Sequence, residues 1–150
     1  MSQTSWVWLL LLGLAVGFGL TSQAGVNAQL RTAMATPIHA AFVSFVIGTV
    51  ILGVMAWQAD RTFFTQPLVS IPWWAWLGGA LGAFNIGMSI FLAPKLGALV
   101  LAATIVVGQM LTSLVYDQYG LLGYPKAEIN WNRVIGACLL IAGLVLVSRK

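Results

Sequence analysis

Apolar residues run along this chain in blocks rather than in alternation. Five blocks are each about 20 residues long, the length at which a helix rising about 1.5 Å per residue crosses the hydrocarbon core of a bilayer. They predict helices over about 6–30, 37–57, 72–92, 96–116 and 131–147. Pro37 opens the second, a placement suited to the first turn of a helix. Two short connections, 31–36 and 93–95, alternate with two longer ones, 58–71 and 117–130. Polar residues inside the blocks do not scatter. Gln23, Asn27 and Arg31 recur at every fourth position, so on a helix they form one stripe, which Gly19 extends backward. Such a helix cannot face lipid on every side, because an unsatisfied amide in hydrocarbon is costly. Other helices, a water-filled cavity or a ligand must cover the stripe.

Composition turns the helical pattern into a class. Apolar residues make up 60% of the 150 and charged residues only 7%, against about 25% charged in soluble domains. Too little polar surface is left to keep the chain in water. The expectation is an all-α integral membrane protein, one five-helix transmembrane domain over residues 1–150 with membrane lipid around it. The net charge of +4 is dispersed, with no basic run beyond Arg149-Lys150, so it does not indicate a nucleic-acid partner. Cys138 is the single cysteine; it excludes an intramolecular disulfide, argues against a thiolate metal site, and reads as a small core residue. Residues 1–20 lack the positive n-region of a secretory signal, and the apolar run continues beyond them, which favours a retained first helix.

The helix register places all seven tryptophans (6, 8, 57, 73, 74, 76, 131) and all three tyrosines (116, 119, 124) at the membrane face that holds the N-terminus. Aromatic rings settle at the membrane–water interface, so this clustering supports the register. Basic residues do not distinguish the two faces. One carries Arg61, Lys126 and Arg133, the other Arg31, Lys95, Arg149 and Lys150. Two arrangements follow from this near balance: a single orientation with the second face cytoplasmic, or dual topology. In the latter, two copies of opposite orientation pair antiparallel and reproduce a ten-helix inverted repeat. Gly13/Gly17, Gly78/Gly82, Ala83/Gly87 and Gly136/Gly143 offer small surfaces for close helix packing. Helices 1–2 and 3–4 each read as a small-rich span, a short turn with a base and a proline, then an apolar span, a faint internal echo.

Depth follows from the rise per residue. Asn85 lies about 16 Å in from Trp74, and Gln109 about 20 Å from the opposite face. Antiparallel pairing would bring Gln23 of one copy level with Gln109 of the other, and Asp117 level with Arg31 and Lys95. Polar groups at such depths are candidates for a substrate pathway. The structural alternative is that Asn and Gln only bond helices together, at about 0.6–2 kcal/mol each, and that Arg31 and Asp117 are charges at helix ends. His39 reads as a solvated or core histidine. The acids are Asp60, Asp117 and Glu128, none deep within a span, so no mid-membrane carboxylate is present to carry protons. No metal cluster, nucleophile–base pair or phosphate-binding loop appears. The chain is therefore expected to be no enzyme and to use no cofactor or metal.

Three stretches carry a resemblance. They are Gln23-x-x-x-Asn27-x-Gln29-Leu30-Arg31 with Pro37 and Ala40-Ala41-Phe42-Val43-Ser44-Phe45-x-x-Gly48; Trp76-x-Gly78-Gly79-x-x-Gly82-Ala83 with Ala93-Pro94-x-x-Gly97-Ala98; and Gly108-Gln109-x-x-x-Ser113-Leu114-x-x-Asp117-x-x-Gly120-x-x-Gly123. Together they resemble the five-helix YdcZ-type family of the drug/metabolite transporter superfamily, over essentially the whole chain. The resemblance implies a bacterial inner-membrane protein, with relatives occurring as single chains, opposite-oriented pairs and fused ten-helix chains. It also implies kinship with small multidrug exporters, which rely on a carboxylate in their first helix. Here Gln23 and Asn27 stand in that region instead.

The resulting expectation is a transporter of a small polar or amphiphilic metabolite, working by alternating access as an antiparallel homodimer. Gln23, Asn27, Arg31, Asn85, Gln109 and Ser113 would line the pathway, and Arg31, Lys95 and Asp117 would gate it or pair between subunits. A non-transporting accessory protein and a pore of parallel copies are the competing readings.

Overall fold

A computed structural model of the chain describes residues 3–59 and 72–149. The expected loop over 58–71, with Asp60 and Arg61, lies almost wholly outside the described residues, as does Lys150. Every regular element among the described residues is helical. Helix α1 spans Gln3–Thr32 and α2 spans Pro37–Ala59. A 3-10 turn, Trp73–Trp76, leads into α3, Leu77–Tyr119, and α4 spans Trp131–Ser148. Three segments are long and apolar enough to cross a membrane among the described residues: Pro37–Ala59, Trp73–Tyr119 and Trp131–Ser148. This is an all-α membrane protein.

One boundary differs from the sequence expectation. Residues 93–95, expected to form a turn, are helical, and Pro94 lies inside α3. The break comes at Gly97, where φ is 76° and ψ is 165°, a region open essentially to glycine alone. Proline is tolerated within membrane helices because neighbouring groups re-satisfy the freed carbonyl. Glycine can leave the helix where proline need not.

The chain forms two compact units, residues 1–95 and 96–150. In the first, α1 packs on α2. Its core is small: Ala40, Ala41 and Ile90, flanked by Leu30, Met34 and Ile86. The paired alanines present no bulk, so larger side chains close over them. Gly82 lies against the Phe45 ring, 3.6 Å from where a Cβ would stand. The other described glycines of the small-residue motifs, Gly17, Gly78, Gly87, Gly136 and Gly143, have no such neighbour within 4 Å. Within the single chain those surfaces stay open, contrary to the expectation of tight packing along all of them.

Large apolar side chains are exposed on every long helix, among them Phe18, Phe42, Phe84 and Leu139. In water this would be untenable for a domain of this size; in a bilayer, lipid covers it. Trp57, Trp73, Trp74, Trp76 and Trp131 are exposed as well, as interfacial rings are. Cys138, expected in the core, is exposed: the turn of α4 that buries Ala137 presents the next residue outward.

Candidate functional site

In the second unit, polar contacts fix the path of the chain from the end of α3 to the start of α4. Helix α3 stops at Tyr119, and Gly120, at φ 62°, takes the left-handed conformation that commonly follows a helix end. The chain then folds back along the helix it has just left. Ala127 N–H donates to the Asp117 carbonyl at 2.8 Å, and Ile129 N–H donates to Gln118 Oε1 at 2.7 Å. Tyr116 and Tyr124 stack with centroids 6.2 Å apart. Asn130 caps α4, its Oδ1 accepting from Arg133 N–H at 3.0 Å.

This return path delivers Arg133 to Asp117. Arg133 Nη1 donates to Asp117 Oδ2 at 3.1 Å and to the Ala127 carbonyl at 3.2 Å. Both side chains are about one-third exposed, 33% and 30%, so water still reaches the pair. The position of Arg133 is unusual. A cation in the first turn of a helix opposes the macrodipole, which favours acids there, and that turn of α4 holds no acid. Asp117 supplies from α3 the negative charge that the turn lacks.

Beside the pair lies a cavity of about 300 Å³, at the small end of the range for small-molecule sites. Ser113, Asp117, Asn132 and Arg133 give it polar walls, and Met110, Leu114 and Gly136 give it apolar ones. Much bonding capacity is unspent. A guanidinium carries five N–H donors, and the two bonds it makes among the described residues both come from Nη1. Asp117 Oδ1, the Ser113 hydroxyl and the Asn132 amide have no protein partner among the described residues.

Of the residues expected from sequence to form a site, the cavity brings together Ser113 and Asp117. Gln109, one turn earlier on α3, is exposed and unbonded among the described residues. The others lie in the first unit. Gln23 and Asn27 fall on α1, Gln23 exposed and Asn27 only 5% exposed; neither side chain has a hydrogen-bond partner among the described residues. Arg31 is half-buried in the last turn of α1, where a cation suits the dipole. Asn85 Oδ1 accepts a long bond, 3.5 Å, from Ser89. Lys95 Nζ sits 3.4 Å from the centre of the Phe91 ring. Arg133 and Asn132 were not legible as site residues by the depth argument, which placed Arg133 only as one more base at the aromatic face. The usable signal was local: an Asn cap followed three residues later by a cation that the helix itself does not favour. No cluster of His, Cys, Asp or Glu suited to a metal occurs among the described residues.

These features define a small multi-pass helical membrane protein with an open recess of mixed polar and apolar lining near the ends of two of its helices. The chain belongs to the YdcZ-type family: residues 8–146 match the family described as "Putative inner membrane exporter, YdcZ". It is also 27% identical over 138 residues to the inner membrane protein YdcZ of Escherichia coli (strain K12), covering 91% of this chain and 92% of that one. No solved structure matches the chain. The protein is therefore a multi-pass protein of the inner membrane. An exporter family is not an enzyme class.

Proposed function

We propose that the protein moves a small polar or amphiphilic solute across the inner membrane by alternating access, as an antiparallel homodimer. The observation that carries this reading is the recess lined by Ser113, Asp117, Asn132 and Arg133 together with apolar Met110, Leu114 and Gly136, which sets an ion pair and two further polar side chains against an apolar wall. The exporter description of the family supports it. So does the state of Gln23 and Gln109. If these amides served only to fasten helices, they would bond within the chain; both are exposed and unbonded among the described residues. In hydrocarbon an amide left so would be costly, which favours a second copy or a solute as its cover.

Five spans fit this reading. Gly97 divides α3 into 20 residues before it and 22 after it, each long enough to cross. With α1, α2 and α4 that makes five, and two copies of opposite orientation would make ten. Arg31 and Lys95 are then placed to meet a partner at the interface, and Asn27 and Asn85 to line the pathway with the two glutamines. Flux of a solute library into proteoliposomes tests the proposal: Gln109→Leu is expected to lower flux at least tenfold without loss of folded protein, and undiminished flux would count against it. Tags on the two termini, probed from each face of the membrane, test the antiparallel pair, which a strictly single orientation would exclude.

A further inference from the structure

We propose that the cavity between α3 and α4 binds a small amphiphilic zwitterion, a molecule with an ammonium and a carboxylate close together and a short apolar side chain. The inference rests on the transport reading and names the class of solute for its site.

The charge balance of the cavity is the first reason. Asp117 and Arg133 face each other at 3.1 Å, so the walls carry both signs and no net charge. A cation entering would be held by Asp117 and repelled by Arg133; an anion would meet the reverse. A zwitterion presents each sign to its opposite over the same few ångströms, without separating the pair. The second reason is unspent bonding capacity. Among the described residues nothing occupies Asp117 Oδ1, which can accept from an ammonium, or Arg133 Nε and Nη2, which can donate to a carboxylate. Ser113 and Asn132 add a hydroxyl and an amide that can serve either end. The third reason is the remaining wall. Met110, Leu114 and Gly136 are apolar, and a volume of about 300 Å³ has room for a short aliphatic chain beside the charged pair.

Leucine, its decarboxylated form isopentylamine and its deaminated form 4-methylpentanoate share the isobutyl side chain and differ in which charges they carry, so they test this directly. Binding to the purified full-length protein in detergent is measured by calorimetry. Leucine is expected to bind at least about tenfold more tightly than either analogue, since each analogue forgoes one charge-assisted bond. Asp117→Asn should shift preference toward 4-methylpentanoate, and Arg133→Gln toward isopentylamine. Ser113→Ala leaves the ion pair intact and should weaken leucine and the one analogue that keeps the end Ser113 bonds by several-fold, with the other analogue unchanged, which keeps the test informative if a charge variant misfolds. Equal binding of the three compounds, or variants that weaken all three in parallel, would overturn the proposal. Leucine counterflow in proteoliposomes separates the two readings. Binding without counterflow leaves the site standing and removes the transport reading; flux of another solute with no leucine binding removes the site and leaves transport standing.

Discussion

Replacing Gly97 with alanine distinguishes a broken α3 from a continuous one by the sign of the effect. A continuous helix over the 43 residues of Leu77–Tyr119 would be about 65 Å long, roughly twice the thickness of the hydrocarbon core. The break at Gly97 is what turns one over-long helix into two segments of spanning length. At φ 76° and ψ 165° an L-residue is strained by about 1–3 kcal/mol. A Cβ added there would meet no atom within 4 Å, so no steric repacking obscures the backbone term. Gly97→Ala should therefore destabilise the protein by about 1–3 kcal/mol. Were residue 97 helical, the same substitution would stabilise it by up to about 1 kcal/mol, the ordinary gain of alanine over glycine. Gly108 supplies the internal control: it lies within the helical run of α3 and also has open space around its Cβ position. Reversible unfolding by SDS titration in mixed micelles, followed by circular dichroism and tryptophan fluorescence, measures both variants. Gly97→Ala moving the midpoint in the same direction as Gly108→Ala would refute the broken-helix geometry.

Three further outcomes follow from the same structure. A double-mutant cycle of Asp117→Asn and Arg133→Gln should give a coupling of about 1–2 kcal/mol, between the values for exposed ion pairs and for hydrogen bonds to charged groups; it should shrink as salt is raised, and a coupling indistinguishable from zero would contradict the pair. Asn130→Ala should cost about 0.5–2 kcal/mol through loss of the α4 cap, with Asn130→Asp retaining most of it in the same titration. Asn27→Ala should change stability by no more than about 0.5 kcal/mol, because no hydrogen bond among the described residues is lost and alanine favours the helix, while solute flux falls; a loss of 2 kcal/mol or more, by comparison with typical buried bonds, would contradict an unbonded Asn27.

Helix positions were legible in the sequence because a spanning helix is set by its own residues: block length, apolar content and a proline at the start of α2 need no knowledge of neighbours. The break in α3 was legible only to within a few residues. Proline and glycine both signal interruption, and sequence cannot say which of Pro94 and Gly97 leaves the helix, since a membrane helix can absorb the lost N–H of a proline. Cys138 was misplaced for a related reason. Its apolar surroundings suggest a core, but in a protein bathed by lipid the exposed surface is as apolar as the interior, and hydrophobicity no longer separates inside from outside.

The candidate site was half legible, and the missing half explains the rest. Ser113 and Asp117 announce themselves by lying one turn apart on a helix, so a single periodicity finds both. Arg133 lies 16 residues further on, beyond a fold-back whose geometry depends on Gly120, the Gln118–Ile129 bond and the Asn130 cap. No periodicity reaches across it. Depth alone suggested that Asp117 looks outward for a cation on a partner; the fold supplies one within the same chain. That changes what a second copy would be needed for. Asp117 is already neutralised by Arg133, so pairing of subunits does not have to satisfy it. Among the described residues, the side chains that still lack a partner include the amides of Gln23, Asn27 and Gln109 and the guanidinium of Arg31. An interface built on the amides would hold by hydrogen bonds and apolar packing, with Arg31 and Lys95 at its rim, while the recess at Asp117 and Arg133 remained free to receive a solute.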